Sequence, residues 1–568
     1  MAPGPLDSLM RRYSLNSLLF LTSLSLVSLG ACYGDDGASG DELGSASGFE
    51  SDGDGTGGFD EGPGDGDTNT SDGGDGDPGD GDGDSGGDGD GDEWGGDGDG
   101  DGEPGDGDGD GDDEDDGETE TETETGEPLC NDIDDVVLYL SPDDSNSMSS
   151  PVQVRERVLT EGSESLGNVP VRVWEFMNYY GFDYAPAADG ELALSASMQV
   201  REGEDATWQL QLAVSSETMT PDERPPMNVT LVLDTSGSMA GEPMNLLKES
   251  CRAIAAQLQE GDVVSIVEWD TENVWSLAGY AVSGPDDALL LEKIEDLSYG
   301  GGTDLNGGLV SGYELAQQVY DINMLNRVVL ISDGGANAGV TDLELIAENA
   351  VYGGSDGIYL VGVGVAKNSN YNDELMDTVT DAGKGASVFL PDDEEIWEVF
   401  GTNFENTMVV AGREVQVELT MPPGFEIVKF SGEGFSDDPQ EVDPQHIAPN
   451  DTMVFYQDVE TCAPELIDDA AEITVLATWE DPWTFEAKQV EQTWTFAELT
   501  GMDQSQLLKG AAIVAYAESL KAYQKAFNDD QKTAALSAAF AAMAPAQAAL
   551  PNDEDLLEIA MILAQLNP

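Results

Sequence analysis

What this chain can fold into is constrained above all by four apolar runs, NVTLVL, DVVSIVEW, RVVLIS and GIYLVGVGV, lying between Met227 and Val409. Each is near-continuous in branched residues, as strands buried on both faces of a parallel sheet require. Between them fall amphipathic stretches with helical period, at Met244 to Gln259, Ala288 to Leu297, Leu305 to Val319, Leu343 to Val351 and Asp373 to Ala382. This alternation predicts an α/β fold, doubly wound and mostly parallel, with helices on both faces of the sheet. The shorter, more polar VWSLAGYAV is expected as an antiparallel edge strand. Such a sheet takes its ligand beyond the carboxyl ends of the strands, where the strand order switches.

The first run ends at such a place in DTSGSMAG, and three chemistries compete for Asp234, Ser236 and Ser238. A serine nucleophile needs a base and an orienting acid, but the chain's one histidine, His446, lies in a different segment and no GxSxG turn occurs here. A phosphate loop needs GxxxxGK followed by Ser or Thr, and no lysine follows before Lys248. A hard-cation site needs only hydroxyl and carboxylate oxygens that converge on octahedral geometry. The residue inventory favours the metal. Further donors stand at neighbouring strand ends: SYGGGTDLNGG places Thr303 ahead of a helix, and VVLISDGG puts Asp333 at a strand tip. Gly300, Gly301 and Gly302 read as backbone freedom for the Thr303 loop rather than a phosphate cradle.

DxSxS, a threonine after glycines and an aspartate in ISDG together resemble the metal-ion-dependent adhesion site (MIDAS) of von Willebrand factor A (VWA) domains, in order and in spacing. The resemblance implies a Rossmann-like domain over 227–409 with Mg2+ as cofactor, Ca2+ or Mn2+ being alternatives. It implies that Ser236, Ser238 and Thr303 offer hydroxyl ligands, while Asp234 and Asp333 bind the ion directly or through water and hold the hydroxyls in place. One coordination position would stay open for a partner's carboxylate. No position of the motif departs from the family pattern. The plainer alternative is that these residues serve only as turn and cap formers.

Around this region, ELALSASMQV and TWQLQLAVS alternate as half-buried antiparallel strands do, and REVQVELTM, TMVFYQDV, EITVLATW and EQTWTF alternate again after it. Two strands alone would make a marginal hairpin, so the expectation is one β-sandwich into which the VWA domain is inserted, with flanks at 130–226 and 410–500. In NVPVRVWEFMNYYGFDYAPA, Val173, Trp174, Met177 and Tyr180 fall at helical spacing and are expected to pack as core. This segment, with NYNDELMDTVTDAGKGASVFLP, resembles a family of bacterial VWA lipoproteins, a likeness spanning most of residues 132 to 520. LSPDDSNSMSSPVQ departs from it, standing where that family has an Asp- and Thr-rich strand end. Residues 501–568 read as two or three packing helices.

Residues 1–32 carry Arg11 and Arg12, a short apolar run and then Cys32, the layout of an export signal rather than a membrane span. Leu29-Gly30-Ala31-Cys32 resembles a bacterial lipobox, which implies lipidation of Cys32. Tyr33 is not the aspartate that retains such lipoproteins at the inner membrane, so the outer membrane is the expected site within the cell envelope. From residue 33 to 129 the chain is rich in Asp and Gly with almost nothing to bury, and reads as a disordered acidic tether. The net charge of −96 argues against nucleic acid as partner. Cys251 shares a helical face with Leu247, Ile254 and Leu258 and is expected in the core. Cys130 and Cys462 lie in polar, loop-like surroundings and are candidates for a disulfide, the connectivity being left open.

The expected function is adhesion: an exported, membrane-anchored, non-enzymatic protein that captures a carboxylate-bearing protein partner through a Mg2+-occupied site. A cation-sequestering structural envelope protein is the alternative. A metal-dependent hydrolase is a weaker one, since no histidine ligand or nearby general base is in view.

Overall fold

The computed structural model describes residues 134–142, 147–161, 166–167, 169–201, 206–334, 357–366, 371–464 and 467–567. The segments expected as export signal with Cys32 and as acidic tether, Cys130 and the helix expected from Leu343 to Val351 lie outside them. Among the described residues no helix is long and apolar enough to cross a membrane.

The chain enters through β1 (Val136–Ser141), α1 (Ser149–Glu156), α2 (Val173–Tyr179), β2 (Ala193–Val200) and β3 (Thr207–Ser215). The central region follows as β4 (Met227–Asp234), α3 (Glu242–Gln257), β5 (Val263–Trp269), β6 (Asn273–Ala281), α4 (Ala288–Asp296) and α5 (Leu305–Gln318). It continues with β7 (Leu325–Ser332), β8 (Tyr359–Gly364), α6 (Asp373–Ala382), β9 (Ser387–Phe389), α7 (Asp393–Trp397) and α8 (Phe404–Met408). Its strands form one sheet in the order β6-β5-β4-β7-β8-β9, parallel throughout except at β6, which is the antiparallel edge expected from VWSLAGYAV. All eight residues of β4 are buried, because side chains on successive positions point to opposite faces and both faces are covered. Leu231 and Leu233 belong to the core that α3, α4, α7 and α8 help to build on one face, whereas Val232 belongs to the one built with α5 and α6 on the other. Helix α3 begins two residues before the expected Met244, with Pro243 in its first turn, where a missing N–H costs nothing. Cys251 lies in the core under this helix, and burial pushes its thiol up to about 12.

After the central region come β10 (Gly412–Met421), β11 (Phe425–Phe430), β12 (Gly434–Ser436), β13 (Gln445–Ile447), β14 (Thr452–Thr461), β15 (Glu472–Glu480) and β16 (Ala487–Thr495). Two sheets result, β12-β1-β10-β15-β16 with β13 beside β10, and β11-β14-β3-β2. Each mixes strands from before and after the central region, and their inner faces share one core that includes Leu140, Leu212, Leu419, Phe455 and Val475. The central domain is therefore an insertion between β3 and β10 of a single sandwich. Strand β1 was not anticipated, since VVLYLS is too short to separate from the polar loop behind it.

Four more helices close the chain: α9 (Phe496–Gly501), α10 (Ser505–Gln524), α11 (Asp529–Ala549) and α12 (Glu554–Leu566). The last three pack with α2 on the outer face of β3 and β14, around Ala213, Val454 and Tyr456. This corrects the half-buried reading of TWQLQLAVS, which is buried on both faces because helices cover its outer one. It also corrects α2, where Phe176 rather than Trp174 joins Val173, Met177 and Tyr180 in the core, as spacings of three, four and seven residues require. Cys462 is disulfide-bonded.

Arg224 and Asp262 lock the chain where it enters the inserted domain. The guanidinium donates to both Asp262 oxygens, at 3.2 and 2.5 Å, and both side chains are essentially fully buried. Asp262 also accepts from the backbone N–H of Met227 at the start of β4 and of Gln259 after α3. Removing one partner would leave the other charge buried and uncompensated, so Arg224→Gln is expected to destabilise the protein by about 3–5 kcal/mol, read by urea unfolding.

Candidate metal centre

The chain runs outward from β4 to β5 and β6, then crosses back to β7 on the other side, so the strand order reverses between the carboxyl ends of β4 and β7. Asp234 ends β4, and Asp333 is the first residue after β7. The two loops are stitched together by hydroxyls. Ser236 Oγ lies 2.9 Å from Ser238 Oγ, and Ser238 donates to Asp333 Oδ1 at 3.2 Å. Asp234 Oδ1 accepts from the N–H of Ser236 at 2.8 Å, and Asp234 Oδ2 accepts from the Ser332 hydroxyl at 2.6 Å.

The Thr303 loop touches the first loop through its backbone. Gly237 N–H donates to Gly301 O at 3.4 Å, and Gly300 N–H donates to Thr235 O at 2.8 Å. Thr303 is 1% exposed and directly precedes Asp304, whose carboxylate caps α5 by accepting from Gly307 N–H. Gly301 adopts φ +79°, and a Cβ there would come within 2.8 Å of the Asp270 carboxyl carbon. The glycine run thus supplies the backbone freedom and the close approach expected of it.

The structure brings Asp234, Ser236, Ser238 and Asp333 into one hydrogen-bonded set and seats the Thr303 loop against it. Three supporting residues escaped the sequence reading. Ser332 orients Asp234, while Asp270 O and Thr271 Oγ1 accept from the N–H groups of Asp304 and Gly302 and so hold the Thr303 loop. A signal for them existed, because Asp270 follows DVVSIVEW at the same end of the sheet and Ser332 precedes Asp333 in ISDG.

Burial pushes the Asp234 carboxyl up to about 6, against hydrogen bonds from Ser332 and Ser236 that pull it down, and the neighbouring Asp333 charge adds to the rise. No positive charge is among these main influences. Without a cation the folded state therefore holds a proton on Asp234 that the unfolded chain releases earlier. The resulting stability is full below the ordinary carboxylate range and is lost as pH rises through about 6. A hard cation among these oxygens would supply the missing positive charge, so the donor set fits a divalent ion. Among the described residues no group of three or more His, Cys, Asp or Glu side chains could hold a metal. The set here combines two carboxylates with two serine hydroxyls, with the Thr303 loop beside it, a mixture of oxygen donors suited to a hard cation. His446 stands elsewhere, buried on β13 against Tyr359 with its ring centroid 4.6 Å away, and burial together with Lys384, Arg327 and Arg413 holds its pKa well below the usual value.

A doubly wound sheet with hydroxyls and carboxylates gathered at its switch point defines the class, an α/β domain with a candidate ligand site at the carboxyl ends of its strands. Residues 228–402 match the von Willebrand factor type A domain, and this part of the chain is a member of that family. Among curated proteins, the chain is 25% identical over 264 residues to the uncharacterized protein YfbK of Escherichia coli, an alignment covering 45% of each. It is 28% identical over 169 residues to the human inter-alpha-trypsin inhibitor heavy chain H1, covering 28% of this chain and 18% of that one. The chain thus spans about half or less of the length of these relatives. Among solved structures, a von Willebrand factor type A protein from Catenulispora acidiphila aligns with 65% of this chain and 89% of its own, at 16% identity and a TM-score of 0.43. Family membership points to adhesion or protein binding and to a domain type that binds a divalent metal.

Gly334, next to Asp333, adopts φ +81°, and a Cβ there would lie 2.7 Å from the backbone nitrogen of Asn372. Both the left-handed backbone and the contact exclude a side chain. Gly334→Ala is expected to cost about 1–3 kcal/mol, read as a lowered denaturation midpoint.

Proposed function

We propose that this protein is an exported, lipid-anchored adhesion or binding protein whose inserted domain holds Mg2+ and engages a carboxylate of a protein partner. The observation that carries the reading is the convergence of Asp234, Ser236, Ser238 and Asp333, with Asp234 fully buried and its main influences lacking a positive charge. Ser236, Ser238 and Thr303 would hold the ion through their hydroxyls, and Asp234 and Asp333 directly or through water. Bound Mg2+ would supply a positive centre for an incoming acid. The chain's own residues do the rest: Ser332 and the Ser236 N–H orient the Asp234 carboxylate, and the Thr303 loop is held by Asp270 and Thr271. Non-enzymatic capture fits the placement of the sole histidine away from these loops. Lipidation of Cys32 and residence at the outer membrane complete the proposal, with the acidic tether separating anchor from domain.

Thermal unfolding with EDTA and with Mg2+ tests the metal. For a dissociation constant of about 0.1 mM, 1 mM Mg2+ should add roughly 1.4 kcal/mol, a rise of a few degrees that Asp234→Ala abolishes. No shift in the wild-type protein, with calorimetry also silent, would end the metal reading.

The pH dependence has a definite sign. Because Asp234 must release its proton to bind a cation, the Mg2+-induced shift should be complete near pH 7.5. It should decline through about pH 6, falling roughly tenfold in affinity per pH unit below that. An equal shift at pH 5 and pH 7.5 would remove Asp234 from the ligand set.

A further inference from the structure

The loop that carries Asp333 does not stand alone. Ser332 O accepts from the N–H of Val365 at 3.0 Å, and Gly334 lies so close to Asn372 that a Cβ would meet its backbone N, O and Cα at 2.7, 2.9 and 3.1 Å. Asn372 is the N-cap of α6, accepting from Leu375 N–H, so the metal loop rests on the start of a helix. What fixes that start comes from outside the inserted domain. Asp373, the first residue of α6, is 6% exposed, and its Oδ1 accepts from the Ser149 hydroxyl at 2.7 Å and from the Gln153 amide, both on α1. Its Oδ2 lies 2.7 Å from Arg172 Nη1, next to the start of α2.

Arg172 gathers three carboxylates, reaching Asp377 one turn further along α6 at 2.9 Å and Glu175 at 3.0 Å. Burial works against its charge, and the carboxylates of Glu175, Asp373 and Asp377 overcome this and raise its pKa. Glu175, fully buried, also accepts from Ser150 N–H. Just before α1, Met148 N–H donates to Ser387 O at 2.9 Å and Ser387 N–H donates to Ser147 Oγ at 3.1 Å, pinning the same segment to β9. The serines of SMSSPVQ are thus a buried plug between flank and inserted domain: Ser147, Ser149 and Ser150 are all 0% exposed.

We infer that this plug seats the metal loop: Asp373, held by Ser149, Gln153 and Arg172, is a positioning residue that fixes the Ser332–Gly334 turn although it is no ligand. The flanking segment then sets the cation affinity of a site to which it contributes no donor. This consequence rests on the metal reading, but the seat itself does not. By thermodynamic reciprocity, Mg2+ at the site tightens the docking of α1.

Hydrogen exchange and calorimetry on the full chain separate the two. The Gly334 amide, which donates to Ser332 Oγ at 3.0 Å, reports the turn directly. In Asp373→Asn, without metal, its exchange should accelerate roughly tenfold. Titration with MgCl2 alone should show a dissociation constant weaker by about tenfold, the lower end for a group that orients metal ligands from behind. Arg224→Lys, at the opposite end of the domain, is the structural control: it should lower the unfolding temperature and leave both readings unchanged. If Asp373→Asn does not fold, Ser149→Ala with Gln153→Ala removes two donors to Asp373 without touching a charge and carries the same expectations. Unchanged Gly334 exchange in a folded variant overturns the inference, as does equal acceleration in Arg224→Lys. Faster exchange with no Mg2+ binding even by the wild-type protein sustains the seat and overturns the metal reading instead.

Discussion

Burying β4 on both faces dictates much of what surrounds it. A strand with its backbone paired to β5 and β7, and its side chains covered by α3 below and α5 above, has no room for a charge along its length, although the uncharged Asn228 and Thr230 are buried in it. Charge is therefore confined to its carboxyl end, where Asp234 sits at the edge of the core. There the carboxylate is desolvated yet within reach of Ser236 and Ser332. The site is a consequence of that burial, since an exposed Asp234 would titrate normally and gain little from a cation.

The same constraint explains the supporting layers. Loops at the end of a parallel sheet carry unpaired backbone groups and need partners. Here each loop borrows them from its neighbour, Gly237 from Gly301, Gly300 from Thr235, and Asp304 from Asp270. Glycines occur where backbones must touch. The third loop leans on the end of β8, where Val365 N–H donates to Ser332 O, and on the start of α6, and α6 is held by helices of the flank. Insertion of the domain into the sandwich thus joins the binding face to the flank at one end, while Arg224 and Asp262 secure its entry at the other.

Charge is arranged along the same lines. The chain has 20 basic residues against 116 acidic ones. Several of the few cations are spent inside, on Asp262, on the Asp373 and Asp377 pair, and on Asp553 and Asp555 through Lys509. Each closes a junction between segments distant in sequence or secures a helix end. Strong surface acidity with internal cationic clamps suits a protein kept soluble by self-repulsion, while its junctions are desolvated enough for single ion pairs to matter.

The sequence by itself determined the fold class of the inserted domain and the strands at its centre. Apolar runs of β-branched residues with helical periods between them read as buried parallel strands, and oxygen-bearing residues after two of those strands and ahead of one helix marked a candidate site, so both were legible in local pattern. Alternation likewise disclosed six of the sandwich strands, β2, β3, β10, β14, β15 and β16, but not the shorter β1, β11, β12 and β13, since a period of two is a local property that needs length to register. Only the tertiary structure decided which faces were covered. TWQLQLAVS proved buried on both sides because helices more than 280 residues further along pack on it, and Phe176 displaced Trp174 from the core. Only the fold, too, could show that Ser149, Gln153 and Arg172 meet Asp373 more than 200 residues away behind the Asp333 loop. A hydrogen bond between remote segments leaves no periodicity in either of them, and a buried serine reads like any loop serine until the surface it fills is known.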